Sequence, residues 1–353
     1  MKAVFILPDL GAGGAERVVT ILSKEMVHQG IPVDILLFLS DRVQYEVPEG
    51  VGLVKLNACS VSKIERISRL RTYFKEQCQL QQRLVALPFH DSCLKYALVA
   101  AKGQRVDVVA CERNDPKQKG QKGIRKLSAV LPYALASRCV FQTEDAMEYY
   151  GKWVKRRSTI IKNPIMLPDD ILWQGFLSKK IVSVGRLELQ KNQKMLIDAF
   201  ALVHSQLPEY TLDIYGEGSM RTVLQEKIDS YGLHEAITLQ GIEKNIYQRL
   251  SEAALFVLPS DYEGMSNALM EALAIGLPTV STDHPAGGAR SLIENGKNGL
   301  LTPVGNKEAM AEAIVSLLRD PVYAQKMSAQ SRKIRQQLAS DVIAKQWVAW
   351  CLS

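Results

Sequence analysis

Short apolar segments that end in glycine or a polar turn alternate with helical segments, and this pattern runs through the chain twice. In the first half, the apolar segment 2–7 precedes a glycine-rich turn at 11–14, a helix at about 15–29 and a second apolar segment at 31–39. The second half restarts at 180–185. Strands that alternate with helices favour parallel sheets with helices on both faces. The sequence therefore predicts two doubly wound, Rossmann-like α/β domains.

The chain length of 353 residues suffices for two hydrophobic cores. We predict a first domain at 1–165, a second domain at 166–335 and a C-terminal helix at 336–353 that packs back towards the first domain. No apolar run approaches the ~18 residues of a membrane span. Pro8 and Asp9 follow the first apolar segment, which favours a strand over a signal peptide. We expect a cytoplasmic protein.

Positive charge is concentrated in the N-terminal half. Through residue 165 there are 26 lysines and arginines against 16 acidic residues, and the remainder has 18 against 21. A basic half favours an anionic partner, which would be a membrane surface, a phosphorylated acceptor or nucleic acid, unless the charges form only a solvated face. The basic segment 61–87 fits either a helix on anionic lipid or a helix whose apolar residues pack in the core, and we favour the core for its apolar residues.

Cysteine and histidine spacing argues against a metal site. The six cysteines form no C-x-x-C pair, and the five histidines are scattered. We therefore expect reduced thiols and no metal.

Two carboxylates, Glu263 and Glu271, bracket a strand-to-helix turn that follows the apolar segment 254–259. The first N–H groups of the helix lack internal partners and attract an anion such as a diphosphate. A carboxylate on each side suits the hydroxyl groups of a ribose and a sugar. On this stretch alone, a surface loop, a solvated helix face and Ser266 as an ordinary N-cap explain the pattern equally well.

The glycine turn at 11–14 is not a dinucleotide fingerprint, because Glu16 occupies the third glycine position. No acidic residue closes the second strand, which also disfavours a nicotinamide enzyme. The turn, the pair Arg186 and Lys191, and the stretch 263–271 all follow strands. Since ligands of open α/β sheets bind at the carboxyl ends of strands, we expect these groups to converge on one diphosphate in a cleft between the domains.

With these motifs in order, the chain resembles the retaining glycosyltransferases of family 4, which have the two-domain GT-B fold. The resemblance covers nearly the whole chain and is greatest to bacterial enzymes that extend lipid-linked, lipopolysaccharide, capsule and exopolysaccharide glycans. Its motifs are GGAE at 13–16, ERNDP at 112–116, NP at 163–164, GRL at 185–187, KN at 191–192, GEG at 216–218 and E-x7-E at 263–271.

The resemblance implies a metal-independent transfer from a UDP-sugar, with no cofactor. Arg186 and Lys191 would neutralise the leaving diphosphate, Glu263 would meet the hydroxyls of the donor sugar, and Glu271 would hold the ribose. The implied partners are the UDP-sugar, a lipid-linked saccharide acceptor and an anionic membrane surface. The further donor-binding positions are Gly13, Gly14, Gly216, Ile242, Met265, Ser266, Asn267, Ala268 and Leu269.

On the acceptor side the chain departs from the family. Relatives often carry a histidine where this sequence has Glu112 and Arg113, so His90 and Arg113 are the acceptor-side candidates. A sugar-nucleotide epimerase of the same fold would need an acid–base carboxylate pair, which the N-terminal half lacks. A nucleic-acid-binding module is disfavoured because no aromatic residues are interleaved with the basic ones, and we expect no nucleic-acid partner.

Overall fold

The computed structural model describes residues 1–11, 13–58, 60–80 and 83–352. Of the sequence predictions, the glycine turn includes Ala12 and the set of reduced cysteines includes Cys59, and both residues lie outside the described ranges. The chain divides into two compact units. The first unit consists of Met1–Met166 together with Leu338–Ser353, and the second unit consists of Leu167–Gln337.

The first unit alternates strands and helices almost throughout its first 160 residues. In chain order its elements are β1 Lys2–Leu7, α1 Gly14–His28, β2 Val33–Leu37, β3 Val51–Lys55, α2 Lys63–Leu80, β4 Leu84–Pro88, α3 Asp91–Ala101, β5 Val106–Cys111, a 3-10 turn at Pro116–Lys119, α4 Gly123–Leu135, β6 Arg138–Phe141, α5 Glu144–Tyr149, α6 Lys152–Lys155 and β7 Ser158–Ile160.

The second unit repeats the alternation and ends in helices. Its elements are β8 Lys180–Val184, a 3-10 turn at Leu189–Lys191, α7 Gln193–His204, β9 Thr211–Tyr215, α8 Arg221–Ser230, β10 Ile237–Gly241, α9 Ile246–Glu252, β11 Leu255–Leu258, α10 Asn267–Ile275, β12 Thr279–Thr282, β13 Leu300–Thr302, α11 Lys307–Arg319, α12 Pro321–Ser331 and α13 Ile334–Gln337. The last helix, α14 Ser340–Cys351, belongs to the first unit.

Each unit contains one parallel sheet. The described strands run in the order β3-β2-β1-β4-β5-β6-β7 in the first unit and β10-β9-β8-β11-β12-β13 in the second. In both sheets the strand order reverses beside the first strand of the unit, between β1 and β4 and between β8 and β11. This is the doubly wound arrangement, and such a reversal marks where ligands bind. The prediction of two doubly wound Rossmann-like α/β domains is confirmed.

Strand burial follows from this topology. Strands covered by helices on both faces need apolar residues at successive positions rather than at alternate ones. Accordingly, β1 is fully buried from Ala3 to Leu7, and all four residues of β11 are buried. The apolar segments in the sequence therefore mark the sheet centres.

Helix α2 packs mostly as the sequence favoured. In α2, Leu70 and Phe74 are fully buried, whereas Ile64 projects into solvent, so most of the apolar residues pack in the core. The second unit ends in α12 and α13, which are separated by a break at residues 332–333. Arg335 after the break donates hydrogen bonds to carbonyl oxygens at Leu167 and Ile171, which anchors α13 to the start of the second unit.

The C-terminal residues complete the first unit. The Ile165 amide donates to the Leu338 carbonyl at 2.7 Å, and the Ser340 hydroxyl donates to Glu25 on α1 at 2.8 Å. Trp347 of α14 is fully buried, with its ring centroid 5.4 Å from that of Phe89. Helix α14 is therefore part of the core of the first unit.

Candidate active site

In the second unit, charged side chains meet where the strand order reverses. Lys191 follows β8 and Glu263 follows β11, the neighbouring strand. The Lys191 ammonium donates to Glu263 Oε1 and forms an ion pair with it. The Ser260 hydroxyl donates to the same oxygen at 2.9 Å. Two residues that are 72 positions apart in sequence are thus joined at the carboxyl edge of the sheet.

The environment of this pair sets its charge. Burial alone would raise the pKa of Glu263, but the charge and the hydrogen bond of Lys191 hold that pKa below its usual value. His284, after β12, lies nearby and its pKa is lowered, chiefly by burial. We therefore expect an ionised Glu263 and a neutral His284 near pH 7.

A set of hydrogen bonds fixes the loop that carries Lys191. Asn192 adopts a left-handed conformation, with φ 45° and ψ 42°, which asparagine tolerates better than most residues. Its side-chain amide donates to Asp261 at 2.6 Å. The Gln190 side chain donates to the Tyr262 carbonyl at 2.8 Å, and the Asp261 amide donates to the Gln190 carbonyl at 2.9 Å. The loops after β8 and β11 therefore hold each other in place.

Close backbone contacts explain the predicted Gly216. This residue has φ 135°, and a Cβ atom there would overlap the Gly185 carbonyl oxygen. The Gly185 amide donates to the Tyr215 carbonyl at 3.0 Å, which joins the ends of β8 and β9. Arg186 follows directly and is exposed, while Ile242 after β10 is also exposed. The glycine at 216 thus lets the backbone after β9 lie against the backbone after β8, next to the exposed Arg186.

The start of α10 lies beside the ion pair in sequence. Ser266 is the N-cap residue, and among the described residues its hydroxyl makes no capping hydrogen bond. Glu271 lies in the second turn and is buried. Of the remaining predicted donor-binding residues, those with buried side chains are Met265 and Leu269, and those with half-buried side chains are Asn267 and Ala268.

His284 is a site residue that sequence reasoning missed. Its Nδ1 lies 3.1 Å from the Pro285 carbonyl oxygen, so Nδ1 carries the proton. Its Nε2 is buried, with no hydrogen-bond partner among the described residues. The loop that follows bends sharply at Ala286, where φ is 67°. A lone histidine in a polar loop gives little signal in sequence.

The glycine turn of the first unit occupies the matching position after β1. Gly13 is the N-cap of α1, and Gly14 is the first helical residue. The Tyr45 hydroxyl donates to the Gly13 carbonyl at 3.3 Å. The predicted convergence of this turn with Lys191 stays a prediction.

The two acceptor-side candidates have different surroundings. His90 follows β4, is exposed, and caps α3 by accepting a hydrogen bond from the Ser92 amide at 3.2 Å. The Arg113 guanidinium donates to the Asn163 side chain at 2.7 Å and lies 4.3 Å from the Phe89 ring centroid. Burial lowers the pKa of Arg113 to about 10. These contacts hold Arg113 in the first unit, where its Nη1 is buried with no hydrogen-bond partner among the described residues, whereas His90 faces solvent. Both acceptor-side assignments stay predictions.

A second buried carboxylate, Glu112, was recognised in sequence only as part of a motif. One oxygen accepts hydrogen bonds from the Arg113 and Asn114 amides, at 3.0 and 3.2 Å. The other accepts from Lys119 and Tyr150 and lies 3.2 Å from the Tyr133 hydroxyl oxygen. Burial raises the pKa of Glu112, and the Lys119 ammonium opposes this effect. The partners are spread along the sequence, so no local motif reveals the network.

A cavity with both apolar and charged lining residues adjoins this network. Its volume is about 480 Å³, and Asp91, Lys95, Lys119 and Tyr133 are among its lining residues. Asp91 accepts a hydrogen bond from the Tyr133 hydroxyl at 2.9 Å and pairs with Lys119 at 2.5 Å. The cavity therefore offers both a carboxylate and an ammonium group near the carboxyl end of β4.

Within the described ranges, no group of three or more histidine, cysteine, aspartate or glutamate side chains is arranged to hold a metal ion. The five described cysteines are free thiols.

Comparison with solved structures identifies the fold. The structure matches S. aureus TarM, solved with fondaparinux, alpha-GlcNAc-glycerol and UDP, at a TM-score of 0.83 and 14% identity over 100% of both chains. It matches Anabaena HepE in complex with UDP and glucose at a TM-score of 0.81 and 20% identity, over 100% of this chain and 99% of that one. The chain has the GT-B fold.

Sequence comparison identifies the family. Residues 177–334, which lie in the second unit, match the family described as glycosyl transferases group 1. The chain is 30% identical over 347 residues to the Campylobacter jejuni N-acetylgalactosamine-N,N'-diacetylbacillosaminyl-diphospho-undecaprenol 4-alpha-N-acetylgalactosaminyltransferase, over 90% of each chain. A second C. jejuni protein, an alpha-1,4-N-acetyl-D-galactosaminyltransferase whose name gives an undecaprenol-linked GalNAc acceptor, is 25% identical over 99% of this chain and 97% of its own. The chain belongs to the group 1 glycosyl transferases.

Proposed function

We propose that the protein is a retaining glycosyltransferase of family 4. In this proposal it moves a hexose or N-acetylhexosamine from a UDP-sugar to a hydroxyl of a lipid-linked or polysaccharide-precursor acceptor in bacterial surface glycan synthesis. The reaction is independent of metal and takes place at the cytoplasmic face of the cell membrane.

The observation that carries the proposal is the Lys191–Glu263 pair at the reversal of strand order in the second unit. An ammonium has three N–H donors. One of those of Lys191 goes to Glu263, which leaves donors for the oxygens of a diphosphate. Arg186, exposed after β8, supplies a planar guanidinium at the same sheet edge. Both cations would stabilise negative charge that grows on the leaving diphosphate.

Glu263 would act on the sugar rather than on the phosphate. Its pKa is held down by Lys191 against the effect of burial, so the carboxylate is ionised and accepts hydrogen bonds from sugar hydroxyls. Glu271, buried in the second turn of α10, would accept hydrogen bonds from the ribose. In the retaining reaction the acceptor oxygen bonds to the anomeric carbon on the face that the diphosphate leaves, with no protein nucleophile required.

The acceptor assignment draws on the relatives and on the first unit. Two relatives carry names that include an undecaprenol-linked saccharide, which supports a lipid-linked acceptor here. The cavity beside Asp91 and Lys119 would receive such a saccharide, whose hydroxyl groups these two side chains would bind, with His90 at the neighbouring start of α3.

A thermal-shift screen of nucleotide-sugars tests the donor assignment. At a ligand concentration of 100 times Kd, binding adds about 2.7 kcal/mol to the free energy of unfolding. We expect a rise in Tm with UDP and UDP-sugars in buffer that contains EDTA, and a smaller rise with other nucleoside diphosphates. The Arg186→Ala variant is the matched control and should respond less. Equal Tm values with and without every nucleotide-sugar would contradict the proposal.

A further inference from the structure

Helix α4 turns a stripe of apolar side chains towards solvent. Ile124, Leu127, Leu131 and Leu135 are 85%, 64%, 50% and 64% exposed. Their spacing of three, four and four residues places them along one face of the helix. The opposite side, with Pro132 and Tyr133, is buried in the first unit. A surface helix normally buries its apolar stripe, so this orientation is the reverse of the usual one.

The residues around the stripe are basic. Residues 116–135 contain five lysines and arginines and no aspartate or glutamate. Lys119 is paired with the exposed Asp91 and the buried Glu112. Lys122, Arg125 and Lys126 are exposed on or beside the first turn of α4. The apolar stripe is therefore accompanied by exposed positive charge.

A second basic segment adjoins α4 at both ends. The Arg157 guanidinium donates to the Ala134 and Ala136 carbonyls, at 2.7 and 3.0 Å. The Tyr149 hydroxyl donates to the Gly120 carbonyl just before the helix. Between these two anchors lies α6 with Trp153, which is 78% exposed. Its neighbours Lys152 and Arg156 are exposed as well, and Lys155 is paired with Glu148.

We propose that the exposed stripe of α4 together with Trp153, here called the α4 surface, docks on a bilayer of anionic lipid. The cations would bind the headgroups, the leucines would enter the boundary between headgroups and acyl chains, and Trp153 would lie at that interface. Among the residues that the structure describes, no helix is long and apolar enough to cross a membrane. The α4 surface would thus attach the enzyme without spanning the bilayer.

Charge complementarity selects lipid as the occupant. A second copy of this chain would bring the same exposed cations against those of the first, which repel each other. An anionic bilayer neutralises them and accepts the leucines at the same time. The proposal concerns only where the enzyme binds. It rests on the proposed function in one respect, namely that binding to the bilayer gives access to a lipid-linked acceptor.

Vesicle co-sedimentation tests the α4 surface with the full chain and without any sugar nucleotide. The probes are phosphatidylcholine vesicles and phosphatidylcholine vesicles that contain phosphatidylglycerol. We expect binding to the second kind, and loss of about tenfold or more in affinity for the double variant Leu127→Ser and Leu131→Ser. The matched control is Leu177→Ser with Val322→Ser, two exposed apolar residues of the second unit, which should bind like the wild type.

Charge and insertion are tested separately. The variant Arg125→Gln with Lys126→Gln should lose binding to anionic vesicles, and added salt should weaken wild-type binding. Trp153 emission should shift to the blue on binding, and Trp153→Phe should remove that shift. Unchanged thermal unfolding of each variant shows that the loss is not a loss of fold.

Three outcomes would overturn the α4 surface as a lipid site. These are equal binding to neutral and anionic vesicles, wild-type binding by the leucine variant, and a concentration-dependent dimer that the leucine variant abolishes. Failure of the proposed function is distinguishable, because transfer to a soluble acceptor does not require the bilayer. A leucine variant that loses vesicle binding and keeps that transfer supports both proposals.

Discussion

The two sheets each place a buried carboxylate near the carboxyl edge, and the two carboxylates differ in how fully they are satisfied. A carboxylate offers about four lone-pair sites. Glu112 in the first unit receives four donors, from two backbone amides, Lys119 and Tyr150, and the Tyr133 hydroxyl lies 3.2 Å away. Glu263 in the second unit receives two described donors, Lys191 and Ser260. A saturated carboxylate holds its own surroundings together, whereas Glu263 retains capacity for a ligand.

The cations paired with these carboxylates show the same contrast. Lys119 contacts two carboxylates and lies close to the hydroxyls of Tyr133 and Tyr150. Lys191 has one described carboxylate partner and sits on a loop that hydrogen bonds hold from both sides. Glu112 should therefore contribute mainly to stability, and Lys191 mainly to transfer.

Replacement of Lys191 by alanine is expected to have the largest effect. Removing one donor to a developing anion costs about 3 kcal/mol, which corresponds to a fall in kcat of roughly two to three orders of magnitude. Steady-state transfer assays with a UDP-sugar measure it. Lys194→Ala, an exposed lysine on α7, is the control and should retain wild-type kcat.

A loss of fold would mimic this result, because Lys191→Ala leaves Glu263 buried without its ion-pair partner. The double variant Lys191→Met with Glu263→Gln removes both charges. Its free energy of unfolding should be closer to that of the wild type than is that of Lys191→Ala, and it should remain inactive. Recovery of transfer in the double variant would show that Lys191 serves stability alone, and the contrast between the two carboxylates would fail.

Replacement of Glu112 by glutamine should act chiefly on stability. Glutamine has one acceptor oxygen for four donors, and its amide adds two donors beside Lys119. We expect the free energy of unfolding to fall by about 3 kcal/mol, as when one partner of a buried ion pair is removed. Urea unfolding measures it, with Glu76→Gln, an exposed residue of α2, as the control. A variant that is as stable as the wild type yet inactive would assign Glu112 to catalysis.

Features that depend on local sequence were predictable, whereas contacts between residues far apart in sequence were not. The strands and the glycine turns follow from local composition, so both doubly wound sheets were predicted. Around Lys191, each half of the ion pair lies in a short motif next to a strand end, and the sheet topology brings the halves together. The contact itself joins residues 72 positions apart and required the structure.

The first unit was less predictable because its contacts are long-range. Arg113 was recognised from its motif, but its contacts with Asn163, 50 residues further along, and with Phe89 required the structure. Tyr133 and Tyr150 reach Glu112 from separate elements. The apolar stripe of α4 follows helical spacing that sequence alone would assign to a core, and only the exposure of Leu127 and Leu131 reveals the opposite orientation.

The pH dependence of stability should also distinguish Glu263 from Glu112, and this is the smallest of the expected effects. The pKa of Glu263 in the folded protein lies below its usual value of 4.5. Its contribution is therefore present above pH 4.5 and is lost as the pH falls through the folded pKa. The pKa of Glu112 in the folded protein is raised above 4.5 by burial. The contribution of Glu112 to the free energy of unfolding is therefore fully present below pH 4.5 and is lost as the pH rises through the folded pKa.

Urea unfolding of the wild type, Glu263→Gln and Glu112→Gln, at pH values from about 3 to about 7, measures both effects. The difference in unfolding free energy between the wild type and Glu263→Gln should narrow as the pH falls below 4.5. The corresponding difference for Glu112→Gln should not narrow on acidification. If both differences narrowed together, the two carboxylates would titrate alike, and the distinction between a saturated carboxylate and one with capacity for a ligand would have to be abandoned.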